Sequence, residues 1–131
     1  MKLLLDTHSL LWYADGSPRL SAIASRLILD PANSLYLSVA SVWEVAIKSN
    51  LKKLQLQNGF EHFLSRAISL CGIHLMDVTL DDCVGYEALP FPLANHRDPF
   101  DRMIIVQAMR NGMDVIGADT NFDAYGITRR W

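Results

Sequence analysis

Short apolar runs of strand length alternate with stripes of helical period along the whole chain, and this alternation limits the fold more than any other feature. "KLLL" at 2–5, "LYLSV" at 35–39, the segment 74–78 and "VIGA" at 115–118 read as strands, and a further short strand is expected near Ile127. Helices are expected between them. A short one starts at Ser9, and Ser21 caps one whose apolar face is Ile23, Leu27 and Ile28. Ser41 reads as the cap of a helix carrying Trp43, Glu44 and Ile47. Phe60, Phe63, Leu64, Ala67, Ile68 and Cys71 mark a strongly amphipathic helix. The segment 81–89 forms another helix, and a last one runs over 99–111, with Pro99 at its first turn and Gly112 as its stop.

Strands interleaved with helices predict an α/β domain with a mostly parallel central sheet flanked by helices. The chain has 131 residues, which fits one domain over 1–131. No repeat, low-complexity tract or linker divides it. The next question is what the strands deliver. In open α/β sheets ligands collect beyond the carboxyl ends of the strands. The first run, "LLLD", stops on Asp6, and "VIGAD" stops on Asp119.

Four acids carry the candidate chemistry, and each also has a structural reading. Asp6 and Asp119 are placed to cap whatever helix follows. Glu44 lies four residues before Lys48 and can pair with it, yet its neighbours Val42, Trp43, Val45, Ala46 and Ile47 are apolar. In "DPFD", Asp98 is accounted for as a helix cap. Asp101 is only partly explained by the first turn, because it heads the stripe of Ile104, Ile105 and Ala108. Asp123 reads as an ordinary surface charge, with a fifth acid of the site as the alternative. Carboxylates gathered in one cleft raise one another's pKa and favour a bound cation. An oxygen-only ligand set suits Mg²⁺ or Mn²⁺ over zinc, and such a metal suits phosphoryl chemistry.

Charge sharpens this. The net charge of −2 excludes a protein that holds nucleic acid by bulk positive charge. Phosphate binding would rest on a metal or on local basic residues, of which Arg97 and Arg102 flank the acidic motif. Both also read as ordinary ion-pairing arginines. Thr7 and Ser41 are candidates for ligand or phosphate contact, or for plain turn and cap roles. Two cysteines, Cys71 and Cys83, are too few for a disulfide framework and point to a reducing cytosol. With His62 and His74 they match no common zinc module. Trp12, Trp43 and Trp131 read as packing residues. No run approaches the ~18 apolar residues of a membrane span, so no membrane role is expected.

At these residues the chain resembles a known family, the PIN-domain ribonucleases, in particular the VapC-type toxins of bacterial toxin–antitoxin pairs. The resemblance rests on "LLLDTHSLLW" at 3–12, "LSVASVWEVAIKSNLKKLQL" at 37–56, "LPFPLANHRDPFDRMIIVQA" at 89–108 and "VIGADTNFDAYGI" at 115–127. It implies a cytoplasmic endoribonuclease in which Asp6, Glu44, Asp101 and Asp119 form a pocket for Mg²⁺ or Mn²⁺, and a metal-activated water hydrolyses an RNA phosphodiester. It also implies a homodimer and a cognate antitoxin that wraps the toxin and blocks the pocket. Other readings stay open: a DNA-directed nuclease with the same pocket, or a protein-binding module whose acids are structural caps. A dehalogenase-like phosphatase also opens on a strand ending in Asp, but it wants a second Asp where this chain has His8.

Overall fold

The computed structural model describes residues 1–131, apart from the side chains of Leu70 and Cys71. The Cys71 position in the expected apolar stripe therefore lies outside the described residues. The elements run β1 (Lys2–Leu5), α1 (Thr7–Asp15), α2 (Ala22–Leu29), β2 (Ser34–Ser38), α3 (Val39–Asn50), α4 (Phe60–Cys71), β3 (His74–Met76), α5 (Leu80–Ala88), α6 (Pro99–Asn111), β4 (Asp114–Ile116) and β5 (Arg129–Arg130). A 3-10 helix over Thr120–Tyr125 precedes β5.

The strands form one sheet in the order β3-β2-β1-β4-β5, and every pairing is parallel. A parallel sheet is covered on both faces, so its central strand is apolar throughout rather than alternating. That accounts for the run of leucines in β1. Leu3 and Leu5 join Leu10, Leu37, Val45 and Phe63 on one side, while Leu4 joins Ile104, Ile105, Val115 and Phe122 on the other. All three β1 leucines are fully buried, each contributing about 2 kcal/mol. No helix among the described residues is long and apolar enough to cross a membrane.

The winding reverses at β1. From it the chain goes first to β2 and β3 on one side, and later to β4 and β5 on the other. In open α/β sheets such a switch point, here between β1 and β4, marks the crevice beyond the carboxyl ends of the strands where ligands collect.

The structure moves several expected boundaries. Ser38, not Ser41, caps α3, its side chain accepting from the Ala40 amide at 3.1 Å. β2 runs into α3 with no loop, so the last strand residue serves as the cap. α1 begins at Thr7 because Asp6 caps it. β3 ends at Met76, and β4 ends at Ile116, so Gly117 and Ala118 leave the sheet. The last strand is Arg129–Arg130, two residues past Ile127. The Ser21 cap, Pro99 at the start of α6 and left-handed Gly112 stand as expected.

Candidate functional site

Asp6 leaves the end of β1 with its amide still bound to the Ile116 carbonyl at 3.0 Å, so its backbone is held by the sheet. Its side chain caps α1, with Oδ1 accepting from the Ser9 amide at 2.7 Å. Oδ2 is not used by that cap. It lies against Gly117, where a Cβ would stand 2.8 Å from it. Any Cβ there would force the Asp6 carboxylate to shift. Asp119 repeats the arrangement after β4: it caps the 3-10 helix through Oδ1, which accepts from the Asn121 amide at 2.9 Å. The cap reading and the site reading of these two acids are therefore compatible. One oxygen fixes the carboxylate and the other remains for a ligand.

Glu44 projects from α3 and is buried. Thr7 Oγ1 donates to its Oε1 at 2.7 Å, and Lys48 Nζ to its Oε2 at 2.6 Å. Thr7 is buried as well, so it orients Glu44 and is not a surface contact for phosphate. Lys48 is the i,i+4 partner of Glu44. Ser41 lies one turn before Glu44 on the buried face of α3, and its Oγ has no hydrogen-bond partner among the described residues.

Asp101 stands in the first turn of α6. Asp98 caps that helix by accepting from the Asp101 amide at 2.9 Å. Asp101 Oδ2 meets His96 Nε2 at 3.2 Å, and His96 Nδ1 meets the Tyr125 hydroxyl at 2.8 Å. His96, Asp101 and Asp119 each bring one potential ligand atom, and the three atoms lie within 4.8 Å of one another. An imidazole thus joins a site expected to be built of oxygen alone. No periodicity flags His96, because it sits in the irregular segment before α6. Its only sequence signal is its place in "NHRDPFD".

Electrostatics tie the four acids together. Burial pushes Asp6 above the ordinary carboxylate range, and the charge of Asp119 adds to this, against the pull of the Ser9 hydrogen bond and His8. Burial also raises Asp101, to about 7, with the charges of Asp98 and Glu44 adding to it and the His96 hydrogen bond opposing. The crevice is a place where negative charge is costly unless a cation shares it. Carboxylate oxygens, with one imidazole beside them, suit a hard or borderline divalent ion.

One expectation about basic residues changes. Arg102 is 1% exposed and faces inward. Its guanidinium donates to the Leu89 carbonyl at 2.8 Å, the Pro90 carbonyl at 3.0 Å and the Tyr125 hydroxyl at 3.2 Å, and stacks 3.7 Å from the centre of the Phe91 ring. The proline-rich segment has no ladder to satisfy its carbonyls, and Arg102 supplies the donors. It is not an RNA-facing residue. Arg97 is exposed and lies over the same ring at 4.5 Å from its centre, so its charge stays open to solvent and to a phosphate. Asp123 is a surface charge paired with Arg129 at 2.8 Å, as expected.

Comparison with known proteins agrees with this fold. The model of the PIN domain family matches residues 3–127. Ribonuclease VapC22 of Mycobacterium tuberculosis is 28% identical over 116 residues, covering 88% of this chain and 85% of that protein. VapBC2 from Rickettsia felis, solved bound to a DNA fragment from its promoter, superposes with a TM-score of 0.75 at 14% identity over 98% of this chain and 97% of that one. VapC20 of Mycobacterium tuberculosis, a toxin cleaving the sarcin-ricin loop, superposes with a TM-score of 0.68 at 17% identity, covering 96% of each chain. At these identities the structural likeness is one of fold.

Proposed function

Because this chain belongs to the PIN-domain family, we propose that it is a divalent-metal-dependent endoribonuclease and the toxin of a toxin–antitoxin pair. The observation that supports this reading is a group of acids beyond the carboxyl ends of β1 and β4. Asp101 and Asp119 come together with His96, the charge of Asp119 acts on Asp6 and that of Glu44 on Asp101, and Asp101 is pushed to about 7. The likeness to Ribonuclease VapC22 supports RNA as substrate, and the likeness to solved VapBC complexes supports a cognate antitoxin partner.

Asp6, Asp101 and Asp119 would hold Mg²⁺ or Mn²⁺. When bound, that ion polarises a phosphate oxygen and lowers the pKa of a water. The chain's own residues do the rest. The caps on Asp6 and Asp119 fix each carboxylate through one oxygen. Glu44 has both oxygens engaged by Thr7 and Lys48, so it adds negative charge at a fixed place. Arg97, exposed and one residue from His96 in the chain, is a candidate to meet an RNA phosphate beside the site.

A homodimer is part of the same proposal. Trp43 does not pack inside, as expected, but is 63% exposed, edge-on to Phe100. It borders an apolar cavity of about 600 Å³ between α3, α5 and α6. Exposed apolar surface of this kind supports burial against a second copy. Sedimentation of the wild type against Trp43→Glu tests it.

The nuclease is tested by incubating purified, partner-free protein with total RNA in Mg²⁺, Mn²⁺ or EDTA, alongside Asp6→Asn and Asp101→Asn. Discrete metal-dependent cuts absent from both variants are expected. A folded wild type that cuts no RNA in either metal would overturn the reading, and cutting of DNA alone would redirect it to a DNA-directed nuclease.

A further inference from the structure

The hydrogen bonds around His96 run in one direction. Arg102 Nη1 reaches the Tyr125 hydroxyl at 3.2 Å, and a guanidinium can only donate. The hydroxyl therefore accepts from Arg102 and has one proton to give. Two acceptors are within reach, His96 Nδ1 at 2.8 Å and the His96 carbonyl at 3.5 Å. The shorter contact has hydrogen-bond geometry, while the longer is marginal. An imidazole that accepts at Nδ1 carries its proton on Nε2. Nε2 faces Asp101 Oδ2 at 3.2 Å. Arg102, His96 and Tyr125 are buried, at 1%, 5% and 9% exposure, so water competes little for the bonds among them, while Asp101 at the end of the relay is partly exposed.

We infer that Arg102 and Tyr125 lock His96 as the Nε2–H tautomer, and that His96 is a positioning residue that holds Asp101 Oδ2 by donation and does not ligate the cation. This rests on the reading of the crevice as a metal site. Three potential ligand atoms within 4.8 Å invite the opposite assignment, with His96 as a direct ligand. That assignment needs a lone pair on Nε2 and the proton on Nδ1. Nδ1–H would then take the second lone pair of the hydroxyl that accepts from Arg102, and the hydroxyl's own proton would be left with the 3.5 Å carbonyl in place of the 2.8 Å ring nitrogen. At the other end an Nε2 lone pair would face a carboxylate oxygen. Both contacts are worse than in the tautomer inferred here. With Oδ2 held by His96, Asp101 offers the cation its other oxygen. The relay also links the proline-rich segment to the site: the guanidinium that carries the Leu89 and Pro90 carbonyls sets the proton on His96.

The test reads the tautomer directly. Long-range ¹⁵N–¹H NMR at pH 8.5, where an ordinary imidazole is neutral, is recorded in EDTA and again with Mg²⁺. The His96 proton is expected on Nε2 in both. A proton on Nδ1 in either state would overturn the inference. Calorimetric titration with Mn²⁺ gives the second readout, on variants whose melting in EDTA shows them folded. His96→Gln keeps an N–H donor near Nε2 and is expected to bind Mn²⁺ within about threefold of wild type, whereas His96→Ala and Tyr125→Phe bind about tenfold more weakly. Equal losses in the Gln and Ala variants would make His96 a ligand and sink the relay. Neither measurement uses RNA. Wild type that binds Mn²⁺ with the expected tautomer but cuts nothing removes the nuclease and keeps the relay, and wild type that binds no divalent cation removes both.

Discussion

Thr7 Oγ1 donates to Glu44 Oε1 across 2.7 Å, tying the first residue of α1 to the buried face of α3. The bond sits between two charges that must be oriented, the Asp6 carboxylate one residue before Thr7 and the Glu44 carboxylate itself. Thr7→Val keeps the shape and removes the donor, leaving a buried carboxylate oxygen unmatched. A stability loss of about 1–3 kcal/mol is expected by denaturant unfolding, with slower RNA cleavage. Thr7→Ser should restore most of both. Full stability in the valine variant would mean that the bond does not matter.

Asp6 has two jobs that substitution can separate. Asn caps a helix about as well as Asp and carries no charge to desolvate. Asp6→Asn should therefore abolish cleavage yet melt at the same temperature as wild type, or higher, in EDTA. Asp6→Ala loses the cap as well and should cost about 1 kcal/mol. A clear drop in melting temperature for the asparagine variant would show that the charge itself supports the fold.

Gly117 is the space into which the Asp6 carboxylate fits. Adding a Cβ places it 2.8 Å from Oδ2 and 3.1 Å from Cγ, so the carboxylate must turn away. Gly117→Ala should lose most of its cleavage activity and cation affinity with little change in melting temperature. Wild-type activity in this variant would remove Asp6 Oδ2 from the site.

The pH dependence follows from Asp101. Burial and neighbouring charge hold it at about 7 in the folded chain, far above its ordinary value of 3.8. Between those values the folded state keeps a proton that the unfolded state has lost. That contribution is complete below pH 4 and disappears as pH rises through 7. Asp6, also raised, acts in the same direction. Asp82 and Asp123 are lowered and act below this window. Melting temperature in EDTA should fall from pH 5.5 to 8.5, and Asp101→Asn should flatten the slope. Mg²⁺ should stabilise more at pH 8.5 than at 5.5, because protons then no longer compete for the carboxylate. An equal slope in wild type and variant would contradict this.

Arg102 and Arg97 should part company. Arg102→Ala leaves two carbonyls and a hydroxyl without their donor and should destabilise by about 3 kcal/mol. Arg97→Ala should leave stability unchanged, weaken RNA binding and reduce its salt dependence by about one phosphate contact. Unfolding curves and RNA binding at several salt concentrations check both.

What the sequence disclosed follows from periodicity. β1 and β4 are apolar because they lie inside a covered parallel sheet, so their ends, and hence Asp6 and Asp119, are visible in the pattern. Asp101 is visible because it heads an apolar stripe, and Glu44 because it interrupts one. His96 and Tyr125 were not visible. They stand in an irregular segment and a 3-10 turn, where spacing carries no signal and only three-dimensional closure brings them within 2.8 Å. The direction of Arg102 was hidden for a related reason: the carbonyls it serves belong to a loop that no local pattern describes. β5 was only dimly legible, because its two arginines are held by charge, Arg130 to Asp114 and Arg129 to Asp123, and not by an apolar run.

The placement of β1 in the middle of the sheet has a consequence for synthesis. Asp6 precedes β4 by more than a hundred residues, so its amide waits for the Ile116 carbonyl, and Ser9 Oγ, 107 residues from Ile116, waits for the same atom. A nascent chain that has not yet delivered β4 holds β1 without one of its two neighbours, and has neither Gly117 nor Asp119 beside Asp6. The group of acids is therefore assembled only when β4 and the turn after it are in place.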